Sequence, residues 1–201
     1  MESRRGMIGL TALFSLFLIM GNFCTPLSGF AAEGGVYLKN NIHCQERTDR
    51  SGKLICKASY ANYTNPGAGH IIVPVNTPVK TEPWSSFIKN GLIITDQTNG
   101  KKIYFEYKDR NMGGMSAEAY VNMITSPEKV SMKGLSKVDI KGIKVGKAYI
   151  GMTKKGVRMA MGYPAIHRTP SLDSNTWVYW TNRFKTMAIE FDPEGKVILI
   201  R

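Results

Sequence analysis

The sequence predicts an α+β protein: a β-rich N-terminal unit with a short helix, then a helix and a three-stranded antiparallel meander. Three observations predict it. Short apolar runs broken by Gly, Pro and Asn fill residues 36–107, helical spacing behind a capping residue follows Gly151, and three strand candidates come last. A chain of 201 residues suits one domain or two small ones, and 43% apolar against 21% charged residues is ordinary globular usage. A many-domain enzyme, a disordered chain and a multi-span membrane protein do not fit these figures. The net charge of +12, from 27 Lys+Arg against 15 Asp+Glu, predicts attraction to anionic partners such as phosphate, lipid headgroups or acidic polymers.

Residues 1–31 read as a secretory signal. Arg4 and Arg5 precede an uncharged apolar run from Met7 to Phe23, and Gly29 and Ala31 supply small residues for cleavage after Ala31. The run contains Gly9, Gly21 and Asn22 and falls short of the roughly 20 apolar residues of a spanning helix. Lipid attachment at Cys24 needs a small residue before it, and Phe23 stands there. The expected product is periplasmic, with association with the outer membrane left open. Without the leader, 25 basic groups remain against 14 acidic ones, together with Cys44 and Cys56.

Those two cysteines flank Thr48-Asp49-Arg50-Ser51-Gly52-Lys53, a stretch rich in turn formers. A hairpin centred near Arg50 places the sulfurs opposite each other, and in an oxidising compartment this predicts a Cys44–Cys56 disulfide rather than a metal site. The β-rich unit is expected over 32–125. Its clearest element is the hairpin Leu92–Thr95, Asn99-Gly100, Ile103–Tyr107, because Asn-Gly takes the positive φ of a tight turn. Ser116 then caps a helix through Ile124 that ends before Pro127.

Residues 126–145 read as a basic junction. Between 129 and 158, eight lysines and Arg158 face only Asp139. Lys137-Val138-Asp139-Ile140-Lys141 alternates like a half-buried strand, with a bulge or turn at Gly142. Two readings stand: a solvated lysine face, or a contact with a partner or anionic lipid through Lys137, Lys141, Lys144, Lys147, Lys154 and Lys155.

Over 146–201, Thr153 caps a helix with Val157, Ala160 and Met161 at helical spacing, and Gly162 stops it before Pro164. Gly156 weakens that helix. Strands follow at Thr176–Trp180, Lys185–Phe191 and Lys196–Ile200, with Met187, Ile189 and Phe191 on one face and Trp177 and Tyr179 opposite in phase to Trp180. Gly151-Met152-Thr153, Val157, Ala160, Gly162, Pro164, Asn175-Thr176-Trp177, Tyr179, Phe191 and Gly195, taken in this order over residues 143–201, resemble the BamE family, also called SmpA/OmlA, of the outer-membrane barrel assembly machinery. The resemblance implies a compact, non-catalytic helix-plus-sheet module acting through protein and lipid contacts at the inner face of the outer membrane. Members of that family typically carry two helices before the sheet, whereas the stretch before Gly151 here is rich in lysine and glycine.

A catalytic reading finds little support. His43, His70 and His167 sit in unrelated contexts, without a Glu-x-x-His or Cys-x-x-Cys partner, so no metal or other cofactor is expected. Gly113-Gly114-Met115-Ser116 is not a nucleophile elbow, and no phosphate loop occurs. His70, near Gly67 and Gly69, reads as a solvated loop histidine. Lysine outnumbers arginine and the chain is exported, so nucleic acid is not expected as a partner. Trp84, between Pro83 and Ser85, reads equally as an exposed anchor or as a side chain buried against the first unit. The leading expectation is an exported envelope interaction protein contacting outer-membrane assembly components and anionic lipid. The alternative is a secreted inhibitor or wall-polymer-binding protein using the same small fold.

Overall fold

The computed structural model describes residues 35–85 and 90–201, so the expected leader, its expected cleavage point after Ala31 and Cys24 lie outside the described residues. Strands β1 (Val36–Leu38), β2 (Ile42–Thr48), β3 (Leu54–Ser59), β4 (His70–Val73), β5 (Pro78–Ser85), β6 (Asn90–Asp96), β7 (Lys102–Glu106) and β8 (Thr125–Ser126) form one sheet in the order β4-β2-β3-β7-β6-β5-β1-β8. Among the described residues, β3 and β7 are the one parallel pair of this sheet. Alternation sets its inner face: Cys44, Cys56, Leu92, Ile94, Ile103 and Phe105 are buried in one cluster. Helix α1 (Ala117–Ile124) packs there through Tyr120, Val121 and Ile124, the three- and four-residue spacing of one helix stripe. Ser116 caps it by accepting from the Ala119 amide at 3.1 Å, as the sequence predicts.

The β6–β7 hairpin forms around Asn99-Gly100, with Gly100 at φ 72°. The β2–β3 hairpin departs from expectation by one step. Asp49 Oδ1 accepts from the amides of Ser51 and Lys53, which centres the turn on Ser51 and pairs Cys56 with Glu46. Cys44 and Cys56 are therefore diagonal neighbours on the inner face, not direct partners, and in this structure both are free thiols.

A larger correction falls on the basic junction. The strand expected over Lys137–Lys141 is helix α2 (Lys137–Val145). Ser136 and Asp139 form a reciprocal capping box, and Gly146 at φ 66° ends the helix. That local signal outweighs the Val138/Ile140 alternation. Gly142 makes no bulge; it faces Met152 within the helix pair.

Helix α3 (Lys154–Met161) follows, capped by Thr153, whose Oγ1 accepts from the Gly156 amide at 3.0 Å. Strands β9 (Thr176–Trp180), β10 (Thr186–Phe191) and β11 (Val197–Ile200) make an antiparallel sheet in the order β11-β10-β9. Trp177, Tyr179, Ile189, Phe191 and Val197 are buried with Ile143 of α2 and Met152, Val157 and Ala160, while Met187 packs at the margin. Trp180, opposite in phase, packs against the first core. The second module is thus two short helices and a three-stranded meander.

The halves are joined by buried polar side chains. Asn41 Nδ2 donates to the Ile143 and Ala160 carbonyls at 2.7 and 3.1 Å, its amide donates to Met159 O at 2.8 Å, and Asn62 Nδ2 donates to Met161 O. At the end of α3 these bonds satisfy carbonyls that the helix leaves unpaired, and at Ile143 Asn41 adds to the Gly146 amide already bonded there.

Candidate functional site

Two surfaces gather the chemistry-bearing side chains. The first is α2. Lys137, Lys141 and Lys144, three and four residues apart, form one exposed stripe along it. Apolar side chains flank them in solvent: Ile140 is 44%, Val145 40% and Ile150 59% exposed. Lys141 Nζ lies 4.8 Å from the centre of the Tyr149 ring, which steadies it without removing its charge. Asp139, the one acid of this region, is fully buried and points inward, leaving the stripe uniformly positive.

The six predicted contact lysines do not form one group. Lys147 lies beside His70 and helps hold that imidazole below its usual pKa, after the effect of burial. Lys155 is exposed on the first turn of α3. Lys154 is drawn inward: its Nζ donates to Asp173 O at 2.9 Å and lies 5.8 and 5.4 Å from the Trp177 and Phe191 rings. The residues singled out for the family resemblance are structural. Gly151 is half-buried in the turn before α3, Met152, Val157 and Gly162 are buried around that helix, and Pro164 is buried just after it. Tyr179 donates from its hydroxyl to Gly162 O at 3.0 Å, and Trp177 meets Phe191 edge-on at 4.8 Å.

The second surface is a groove of about 640 Å³ on the outer face of the large sheet. Lys57 of β3 and Tyr104 of β7 are register partners there, and Trp84 of β5 stands opposite Gly91 of β6. A side chain at Gly91 would meet the Phe105 carbonyl and crowd the Trp84 ring, so glycine keeps this part of the floor open. Tyr63 and Pro66 of the loop after β3, and Asn182 and Arg183 of the β9–β10 turn, form a rim. The rim is tied across the two halves by Thr64 and Asn65 amides donating to the Trp180 and Thr181 carbonyls at 3.1 and 2.8 Å. Trp84, predicted as an anchor candidate, lines this groove and meets Tyr104 edge-on at 6.1 Å.

His43 and His70, read from the sequence as unrelated, stack with ring centres 5.2 Å apart and Nδ1 of His43 3.0 Å from Nε2 of His70. His70 is thus a strand residue bonded to a second histidine, not a solvated loop histidine. Burial drops the His43 pKa to about 4, assisted by His70 and opposed by the bond to Ala160 O. The adjacent Cys56 side chain and, after it, burial push the Cys44 thiol up. Among the described residues, no group of three or more His, Cys, Asp or Glu side chains is placed to hold a metal ion. No helix among the described residues is long and apolar enough to cross a membrane. Comparisons with protein-family models, curated proteins and solved structures find no match to this chain.

Proposed function

We propose that this chain is a non-catalytic, exported envelope protein that holds protein partners and an anionic membrane surface through its C-terminal module. One observation carries the reading: Lys137, Lys141 and Lys144 form a single exposed stripe on α2, with Ile140, Val145 and Ile150 exposed beside it. Cations flanked by aliphatic side chains suit the boundary between lipid headgroups and acyl chains, where charge attracts and apolar groups insert. The helix pair ahead of the three-stranded meander also supports the resemblance to BamE-like barrel assembly factors, whose modules carry two helices before the sheet.

Flotation with phosphatidylglycerol-containing vesicles tests this. Near an anionic surface each lysine contributes about 1 kcal/mol, so changing Lys137, Lys141 and Lys144 together to Gln weakens binding by about 3 kcal/mol at low salt. Wild-type binding falls steeply as salt rises, because screening shortens the reach of surface charge to about 8 Å at physiological ionic strength. Crosslinking in intact envelopes recovers barrel-assembly subunits. Vesicle binding that is absent, or indifferent to salt and to these substitutions, removes the membrane part of the proposal. Recovery of a single wall enzyme instead supports the inhibitor reading.

A further inference from the structure

The groove on the outer face of the large sheet is separate from α2, which contributes none of its lining residues. Four cations, Arg47, Lys57, Lys108 and Arg183, line it against one carboxylate, Glu106. Lys108 Nζ pairs with Glu106 at 3.2 Å, which accounts for that carboxylate. Among the described residues, Arg47, Lys57 and Arg183 have no ion-pair partner, and all three are exposed. Unpaired cations around a concavity focus a positive potential within it.

The groove also carries flat apolar surface and neutral hydrogen-bonding groups. Trp84, Tyr104 and Tyr63 are half-buried along it; Gln45 Nε2 is held by the Pro66 and Ala68 carbonyls and Asn182 Oδ1 by the Phe184 and Lys185 amides, so Gln45 Oε1 and Asn182 Nδ2 are the amide groups left to face a ligand. Ser59, at the junction of β3 and β7, has a buried hydroxyl that makes no hydrogen bond of good geometry. Aromatic faces suit the C–H faces of sugar rings, amides and hydroxyls suit sugar hydroxyls, and guanidinium and ammonium groups suit carboxylates or phosphates along a chain. A fatty acyl chain would leave the polar lining unpaired, and a neutral glycan would leave three cations unanswered.

We propose that this groove binds a segment of an acidic oligosaccharide, its sugar rings against Trp84 and Tyr104 and its anionic groups on Arg47, Lys57 and Arg183. Because the rim joins the loop after β3 to the β9–β10 turn, the site exists only when the two halves are docked. It is independent of the lipid contact on α2.

Titration calorimetry of the full chain with hexagalacturonate and with chitohexaose provides the test. The acidic hexamer binds, with affinity falling as salt rises, and the neutral one binds at least about tenfold more weakly. Changing Lys57 and Arg183 to Gln, both exposed positions, weakens acidic-hexamer binding by at least about tenfold at unchanged melting temperature. Trp84→Phe gives a smaller loss. The Lys137, Lys141 and Lys144 triple Gln variant binds the hexamer as wild type does. Equal affinity for both hexamers, no binding to either, or binding lost in the α2 variant and kept in the groove variant overturns the proposal. Vesicle binding lost through Lys57 and Arg183 assigns the groove to lipid instead and also overturns it.

Discussion

His43 Nε2 lies 3.0 Å from the carbonyl oxygen of Ala160, so a side chain of β2 closes the last turn of α3, a helix 117 residues further along the chain. A carbonyl only accepts, so Nε2 carries the proton and donates. Nδ1 is then the acceptor and takes the hydrogen of His70 Nε2 at 3.0 Å. A second proton on His43 would make Nδ1 a donor, require His70 to turn its Nε2 into an acceptor, and place a positive charge inside a buried joint. The neutral ring is therefore the one the fold accepts, in keeping with its lowered pKa.

That relationship sets a pH dependence of stability. The folded pKa of His43, about 4, lies below its ordinary 6.5, so the unfolded chain binds the extra proton across that window. The stabilisation is fully present above about 6.5 and is lost as pH falls toward 4. From about pH 7 to about pH 5 the linkage amounts to about 2 kcal/mol. His70, the titratable neighbour on β4, is also held below its usual value and acts in the same direction. Urea unfolding of wild type is expected to show this loss, and His43→Gln should be less stable at neutral pH and flatter in the same window. Equal slopes for the two proteins would show that His43 titrates outside the joint.

The cysteines give a redox expectation. Cys44 and Cys56 are buried diagonal neighbours on the inner face, and the Cys44 thiol points its hydrogen bond to the Ile42 carbonyl. In an oxidising compartment they should join, with the backbone of the β2–β3 pair shifting to bring the diagonal neighbours within disulfide reach. Closing a loop of this size stabilises by roughly 2 to 3 kcal/mol, chiefly by restricting the unfolded chain. Peptide mass analysis of exported, unreduced protein is expected to show the two segments linked, and reduction should lower the melting temperature. Two thiols that both alkylate after denaturation without reductant would show that the pair stays reduced.

How legible these features were depends on the distance over which each is set. The β6–β7 hairpin, α3 and β9 carry their signals locally, in Asn99-Gly100, in Thr153 with Gly162, and in the alternation of Trp177, Val178 and Tyr179. Helix α2 was hidden by the alternation of Val138 and Ile140, although Ser136-x-x-Asp139 held a capping signal that could have identified it. The His43–His70 pair could not be read, because it depends on β2 pairing with a strand 27 residues away. The groove shares that difficulty: Trp84 stood out, but its neighbours Lys57, Tyr104 and Arg183 reach it from different strands and from the other half. The lysine run was visible as charge, and only the helical period separates Lys137, Lys141 and Lys144 from the inward Lys154.

Asp139 offers the sharpest test of how the C-terminal module is held. Its carboxylate is fully buried, with Oδ2 accepting from the Ser136 amide and hydroxyl at 3.0 and 2.8 Å and Oδ1 from the Thr153 amide and hydroxyl at 2.8 and 3.2 Å. One side chain thus caps α2 and braces the N-cap residue of α3, where the partial positive charge of both helix ends favours an anion. Gly156 belongs to the same arrangement, since a Cβ there would collide with Asp139 Oδ1, which explains a residue that otherwise weakens α3. Asp139→Asn replaces one acceptor oxygen by a donor, facing amide hydrogens on either side, and is expected to destabilise by about 2 to 4 kcal/mol. Gly156→Ala should cost a comparable amount despite the higher helix propensity of alanine, through overpacking against the carboxylate. In the double variant the two losses should sum to less than their separate values, because each disrupts the same contact. Denaturant unfolding of the four proteins measures this coupling, and strictly additive losses would mean that Asp139 and Gly156 act independently.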